Sequence, residues 1–299
     1  MKSGSKEILL LVSMGKGIVK GIVYALRIVL SNRKGLIGLI LLSISLIMAI
    51  APNLLAPYDP HKIVDKPFLP PSLKHLLGTN DVGQDIFSEL VYGARISLLV
   101  GVSAALSSVF VGAIIGLVAG YYGGFVDEFF SVITDTMLLL PPLPFMILMA
   151  AFMGQGYQNI VLAITIFTWP GIARIVRSQV ISLKNLAFVE AAKALGAGSL
   201  RIMFRHILPQ IYPLLVAFVV LRTGGAIIAE AALSFLGLGD PTQKSWGAMI
   251  YWAMNSGAIS SGRWWWILAP GLMITVTVEA FTLIGYAIEE YVNPRLRTA

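Results

Sequence analysis

From Ile96 to Ala119 the chain carries no charged side chain. A helix rises about 1.5 Å per residue, so this run is long enough to cross a hydrocarbon layer of about 30 Å. Hydrophobic residues make up 57% of the chain and charged ones 12%, against about 25% charged in an ordinary soluble domain. A single soluble core cannot bury so many segments that lack a polar face, so the bilayer is the solvent this sequence fits. Gly112, Gly116 and Gly120 recur every fourth residue in the run, a spacing that lets two helices approach to backbone contact in lipid.

Six such segments are expected, in one all-α, polytopic membrane domain. The first spans residues 35–55, closed by Pro52 and Pro57, and a polar, proline-containing extracytoplasmic loop covers 56–94. The core then runs from 95 to 299. Its spans are 96–119, 129–152, 160–176, 211–235 and 265–288. Pro141, Pro142 and Pro144 are expected to distort the third span, because each removes a backbone donor. Trp264, Trp265 and Trp266 suit the outer interface.

The net charge of +7 would suit nucleic acid if it formed a surface, but it is parcelled out along the chain. Seven basic residues precede the first span (Lys2 to Lys34), six surround a polar insert (Arg174, Arg177, Lys184, Lys193, Arg201, Arg205) and two close the chain (Arg295, Arg297). Lys and Arg accumulate in cytoplasmic loops, so the insert and both termini are expected inside, with no nucleic-acid partner. Residues 1–34 mix spaced cations with apolar residues, as in a helix lying in the membrane interface. Lys16 and Lys20 interrupt that stretch and argue against a cleaved signal peptide.

No bond chemistry is legible. Lys244-Ser245 lacks the glycines of a phosphate-binding loop, so the chain itself is not expected to hold ATP or Mg. His61, His75 and His206 are scattered over both sides of the membrane, and there is no cysteine, so no metal site is expected. Ionisable residues inside spans are costly and become candidates for function: Asp135, Arg222, Glu230 and Glu279. Arg222 and Glu230 lie about 12 Å apart along a helix and roughly 80° around it, so they are not an intrahelical pair. Each reads either as an interhelical contact or as lining of a translocation path.

The insert at 182–209 contains Glu190-Ala191-Ala192-Lys193-Ala194-Leu195-Gly196 and, after a fixed interval, Arg205-His206-Ile207-Leu208-Pro209. Its alanines favour helix, and Gly196 and Gly198 stop it. A short helix, a turn and a second helix ending before Pro209 follow. This pattern resembles the cytoplasmic coupling loop of permease subunits of bacterial and archaeal ABC importers. His206 stands where an Ile is usual, in the form Phe-Arg-His-Ile-Leu-Pro typical of the peptide and oligosaccharide branch. His75-Leu76-Leu77-Gly78-Thr79-Asn80-Asp81, Tyr92-Gly93-Ala94-Arg95-Ile96-Ser97, Ala229-Glu230-Ala231-Ala232-Leu233-Ser234-Phe235, Ser245-Trp246-Gly247 and Asn293-Pro294-Arg295-Leu296 are similar to the C-type permease of dipeptide and oligopeptide importers.

The resemblance implies a type I ABC importer permease fold in a prokaryotic cell membrane. It also implies a second homologous permease, two ATP-binding subunits that hold the ATP and Mg, and an extracytoplasmic solute-binding protein. Glu190, Ala191, Ala192, Lys193, Ala194, Leu195, Gly196, Arg205, His206, Leu208 and Pro209 are the implied ATPase-docking residues. Peptides lead as cargo. Thr282 and Tyr286, where the family commonly has acidic or amide side chains, and the short loop Gly239–Lys244 keep oligosaccharides as the alternative, with a nickel chelate third. The rival of another class is an ion- or proton-coupled carrier working alone.

Overall fold

A computed structural model describes residues 29–292; the expected interfacial helix over 1–34 and the closing Asn293–Leu296 motif lie almost wholly outside the described residues. Among them the chain is helical, with one isolated bridge between Thr79 and Asp85. Five helices are long and apolar enough to cross a membrane, or six if one sharply bent pair counts as a span.

α1 (Arg33–Ile50) is capped by Asn32, whose side chain accepts from the Lys34 N–H, and it breaks at Ala51 before the short α2 (Pro52–Leu55). Pro52 has no N–H to continue the ladder, so the first span is shorter than residues 35–55. α3 (Ile86–Tyr122) starts well inside the stretch expected to be loop and is 37 residues long. The third span is two helices, α4 (Gly124–Leu139) and α5 (Pro142–Met153), meeting at 93°. Here Pro141 and Pro142 fall in succession, and the residue before a proline is driven out of the helical region. The distortion expected from the prolines is therefore a full break. α6 (Tyr157–Leu183) follows, then α7 (Ala187–Ala194) and α8 (Ser199–Ile202) of the insert. α9 (Leu208–Phe235), α10 (Trp246–Asn255) and α11 (Trp265–Val292) complete the described residues.

α3 and α6 form the most extensive pair, and the glycine ridge is their seam. A Cβ on Gly116 would lie 2.5 Å from the Ala173 carbonyl oxygen, and one on Gly112 or Gly120 2.8 Å from the carbonyl of Trp169 or Arg177. The ridge thus packs within the subunit. α1 and α11 pair in the same manner, with Gly38 against the Ala280 carbonyl and a buried hydroxyl pair, Ser45 to Thr277, 2.6 Å apart. Ile40, Ile47, Phe110 and Phe125 are exposed around the bundle, as suits a surface solvated by lipid.

At one end of the bundle, residues 56–85 fold back as an ordered cap on α3. Asp85 caps the helix, accepting from the Ser88 N–H at 2.8 Å, and its other oxygen lies 2.8 Å from the buried His75 Nδ1. Thr79 donates to the Lys66 carbonyl and accepts from the Leu69 N–H. The His75–Asp85 motif is therefore a self-bonded loop. Its outer flank carries Lys74 and Asp65, 2.5 Å apart. The Lys74 ammonium and the Lys66 N–H hold the Asp65 carboxyl down at about 2, and Asp65 raises Lys74 in turn.

Candidate docking helix and intramembrane cavity

The insert lies at the opposite end of the bundle. α7 has two faces: Val189 and Ala192 are buried, while Glu190, Ala191, Lys193 and Ala194 are exposed. Val189 and Ala192 join Ile202, Met203 and Ile207 in one cluster with Val109, Leu117, Ile172, Val176 and Val180 of α3 and α6. Apolar residues on one side thus anchor the insert to the membrane helices. Ala192 belongs to that anchor, so the small-residue face turned outward consists of Ala191 and Ala194. Among the described residues Glu190 has no ion-pair partner in its own chain, and the Lys193 ammonium sits 6.0 Å from the Tyr121 ring centre.

α7 ends at Gly196 with φ +78°, a left-handed conformation in which a side chain is strained. The Gly196 N–H donates to Lys193 O at 2.9 Å and the Ala197 N–H to Ala192 O at 3.0 Å, the paired bonds that close a helix at a left-handed residue. Leu195, beside it, is almost wholly exposed. Beyond the turn, α8 does not stop before Pro209. It continues through a π turn, Met203–Ile207, in which the Leu208 N–H bonds to Met203 O, straight into α9. Pro209 opens α9 and Pro213 lies within it, and neither has an N–H to give to the ladder. Arg205 and Pro209 are exposed and His206 and Leu208 half-buried along this stretch. Lys184, just ahead of α7, donates to the Gly120 carbonyl at 2.8 Å and ties the insert to the end of α3.

The four intramembrane ionisable residues separate into different situations. Asp135 pairs with Arg174 across α4 and α6, and both are more than half exposed. Beside them Asp127 pairs with Arg177 through Nε and Nη2 of the guanidinium, and Asp135, Arg174 and Arg177 border a cavity of about 330 Å³ with Thr134 and Gly116. In the sequence Arg174 and Arg177 stand out only among the basic residues around the insert; their partners lie 39 and 50 residues away and leave no local signal. Glu230 is fully buried and accepts from Ser234 at 2.7 Å and Ser97 at 3.2 Å. Ser97 in turn accepts from the Trp246 N–H at 3.1 Å, and Trp246 Nε1 donates to the Leu90 carbonyl. Glu230 therefore crosslinks α3, α9 and α10. Glu279 is exposed on α11. Arg222 lines a cavity of about 450 Å³ between α5, α6 and α9, which Asp135, Glu230 and Glu279 do not border.

Among the described residues no group of three or more acidic or histidine side chains is placed to hold a metal ion. The acids near the cavities are bonded to arginines or hydroxyls, an arrangement that holds helices together.

The described residues thus form a bundle of five or six candidate spans, opened by a proline break and carrying a core-anchored helix with a small, polar outer face. The chain belongs to the family of binding-protein-dependent transport system inner membrane components, whose model matches residues 112–298. It is 39% identical over 273 residues to the dipeptide transport system permease protein DppC of Bacillus subtilis, covering 89% of this chain and 83% of the relative. It is 38% identical to the glutathione transport system permease protein GsiD of Pectobacterium atrosepticum, covering 86% of each. A chain of the MetNI methionine ABC transporter in inward-facing conformations superposes with a TM-score of 0.53 over 69% of this chain and 95% of its own, at 19% identity. That likeness carries the fold alone. The protein is thus a multi-pass inner-membrane transport subunit of the ABC importer class, and the all-α permease fold expected from the sequence is the one observed.

Proposed function

We infer that this chain, paired with a second homologous permease, forms the path through which an ATP-driven importer moves peptides handed over by an extracytoplasmic solute-binding protein. The observation that carries the reading is the division of labour in α7. Val189 and Ala192 fix it to the chain's own core, while Glu190, Ala191, Lys193 and Ala194 are turned away from it.

Small alanines let a helix seat deeply in a groove, and Glu190 supplies an anion for a basic residue of an ATPase subunit. ATP and Mg belong to those subunits, two per complex, and this chain supplies transport without bond chemistry of its own. The basic insert and both termini then face the cytoplasm, and the 56–85 cap and Trp264–Trp266 face outward. The peptide cargo follows the names of the relatives, DppC and GsiD among them.

Reconstitution in proteoliposomes tests the reading. Peptide uptake is expected only with both permeases, the ATPase subunits, ATP and the loaded binding protein. Uptake by this chain alone would establish a stand-alone carrier, and a binding protein that takes sugars but no peptides would replace the cargo.

A further inference from the structure

The cavity between α5, α6 and α9 has one charged residue in its lining, Arg222. Its other walls are apolar or small, among them Met146, Phe167, Gly225 and Ala229, and no acid borders it. The guanidinium reaches from α9 to α6 where Gly171 leaves space: a Cβ there would lie 3.3 Å from Arg222 Nη2. Two hydroxyls also line the cavity, Ser108 and Thr168, but they are 2.6 Å apart and back-bonded to the Ala104 and Ile164 carbonyls, so their protons are already in use. The five N–H groups of Arg222 are therefore the donors this cavity has to offer. Among the described residues they meet no acceptor, since Asp135 is taken by Arg174 and Glu230 by Ser97 and Ser234.

A cation that is costly to hold at membrane depth, without a counter-charge and aimed into a cavity, marks a place where an anionic group is received. A guanidinium fork matches a carboxylate with two parallel bonds. We propose that Arg222 is a specificity-determining contact of the translocation path that receives the free C-terminal carboxylate of a peptide. The inference rests on the peptide reading above and deepens it, because the C-terminal carboxylate is the one anion every unmodified peptide carries. The apolar walls make no demand on side-chain identity, so the site selects for a chain end and tolerates sequence. Charge-assisted bonds are about twice as strong as neutral ones, and their loss is expected to slow uptake about tenfold.

The chain has no cysteine, so Arg222→Cys gives this subunit a single thiol, and the complex is assembled with cysteine-free partners. Uptake of trialanine is measured in proteoliposomes at saturating binding protein. Arg222→Cys is expected to cut uptake about tenfold, aminoethyl methanethiosulfonate to restore it by returning a cation, and methyl methanethiosulfonate to leave it low. Arg222→Lys is expected to fall between. Equal uptake by the wild-type and Arg222→Cys complexes overturns the proposal. So does restoration by the uncharged reagent, or an Arg222→Cys complex that fails to assemble while Arg222→Lys assembles, which would make the cation a contact with the second permease. A wild-type complex that imports no peptide sinks the cargo reading itself, an outcome visible before any variant is compared.

Discussion

Lys244, in the segment between α9 and α10, places its ammonium 2.6 Å from a carboxylate oxygen of Glu89 on the first turn of α3, 155 residues away. Asn80 and Gln84 of the cap complete the cluster: Asn80 donates to Glu89 at 3.0 Å, and Lys244 donates to Gln84 at 2.9 Å. The Glu89 side chain is only 4% exposed. Removing one partner of a buried pair strands the other charge and costs about 3 kcal/mol or more. Lys244→Ala is expected to lower the thermal midpoint of the detergent-purified protein, and Glu89→Gln with Lys244→Met to recover much of the loss. Equal destabilisation by the single and the double substitution would refute the pairing.

The α3–α6 seam gives a steric prediction. Gly116→Ala puts a Cβ 2.5 Å from a backbone oxygen that cannot move aside, a cost of about 1–3 kcal/mol. A Cβ on Gly271 meets nothing within 4 Å, so Gly271→Ala is the control and should leave the midpoint unchanged. Similar midpoints for both would mean that the seam is loose.

On the insert, Gly196→Val forces a β-branched residue into φ +78°, and Glu190→Lys reverses the charge of the outer face. Both variants are expected to insert in the membrane and to co-purify with less ATPase subunit. Normal co-purification and uptake would remove the docking role from α7.

The Asp65–Lys74 pair sets a pH limit for the cap. A carboxyl held at about 2 instead of 3.8 contributes stability that is fully present above its unfolded value and is lost as pH falls through the folded one. Hydrogen exchange in residues 59–80 should therefore show the full, pH-independent contribution of this pair between pH 7 and 5 and a loosening only below about pH 4. In Lys74→Ala the Asp65 carboxyl should return toward its ordinary value and that dependence should fade. An unchanged profile would show that the lysine is not its cause.

Hydropathy made the spans legible because lipid imposes a requirement that each segment meets by itself: Ile96–Ala119 declares a helix without reference to any other residue. The glycine ridge was readable as a seam for the same reason, although its partner, α6, was not. What escaped were relationships between distant residues. In the sequence Glu89 is only part of the 56–94 loop and Lys244 only a residue without the glycines of a phosphate-binding loop, and Glu230 is a costly intramembrane charge whose needs are met by two serines. The inward turn of Ala192 was hidden because alanine suits both faces of a helix, and only the cluster around Val189 decides between them. Three nearby prolines announced a distortion but not its 93°, which depends on what the two halves pack against.

The π turn has a mechanical consequence. Because the helix runs on through Met203–Ile207 without a loop, Ser199 to Phe235 is a continuous strut of 37 residues, about 55 Å long at 1.5 Å per residue. Tilting its base by about 10° swings its far end by about 10 Å, carrying Arg222 and Glu230 through different arcs on the way. A small displacement of the insert is thereby geared up into a large one at the opposite mouth of the bundle.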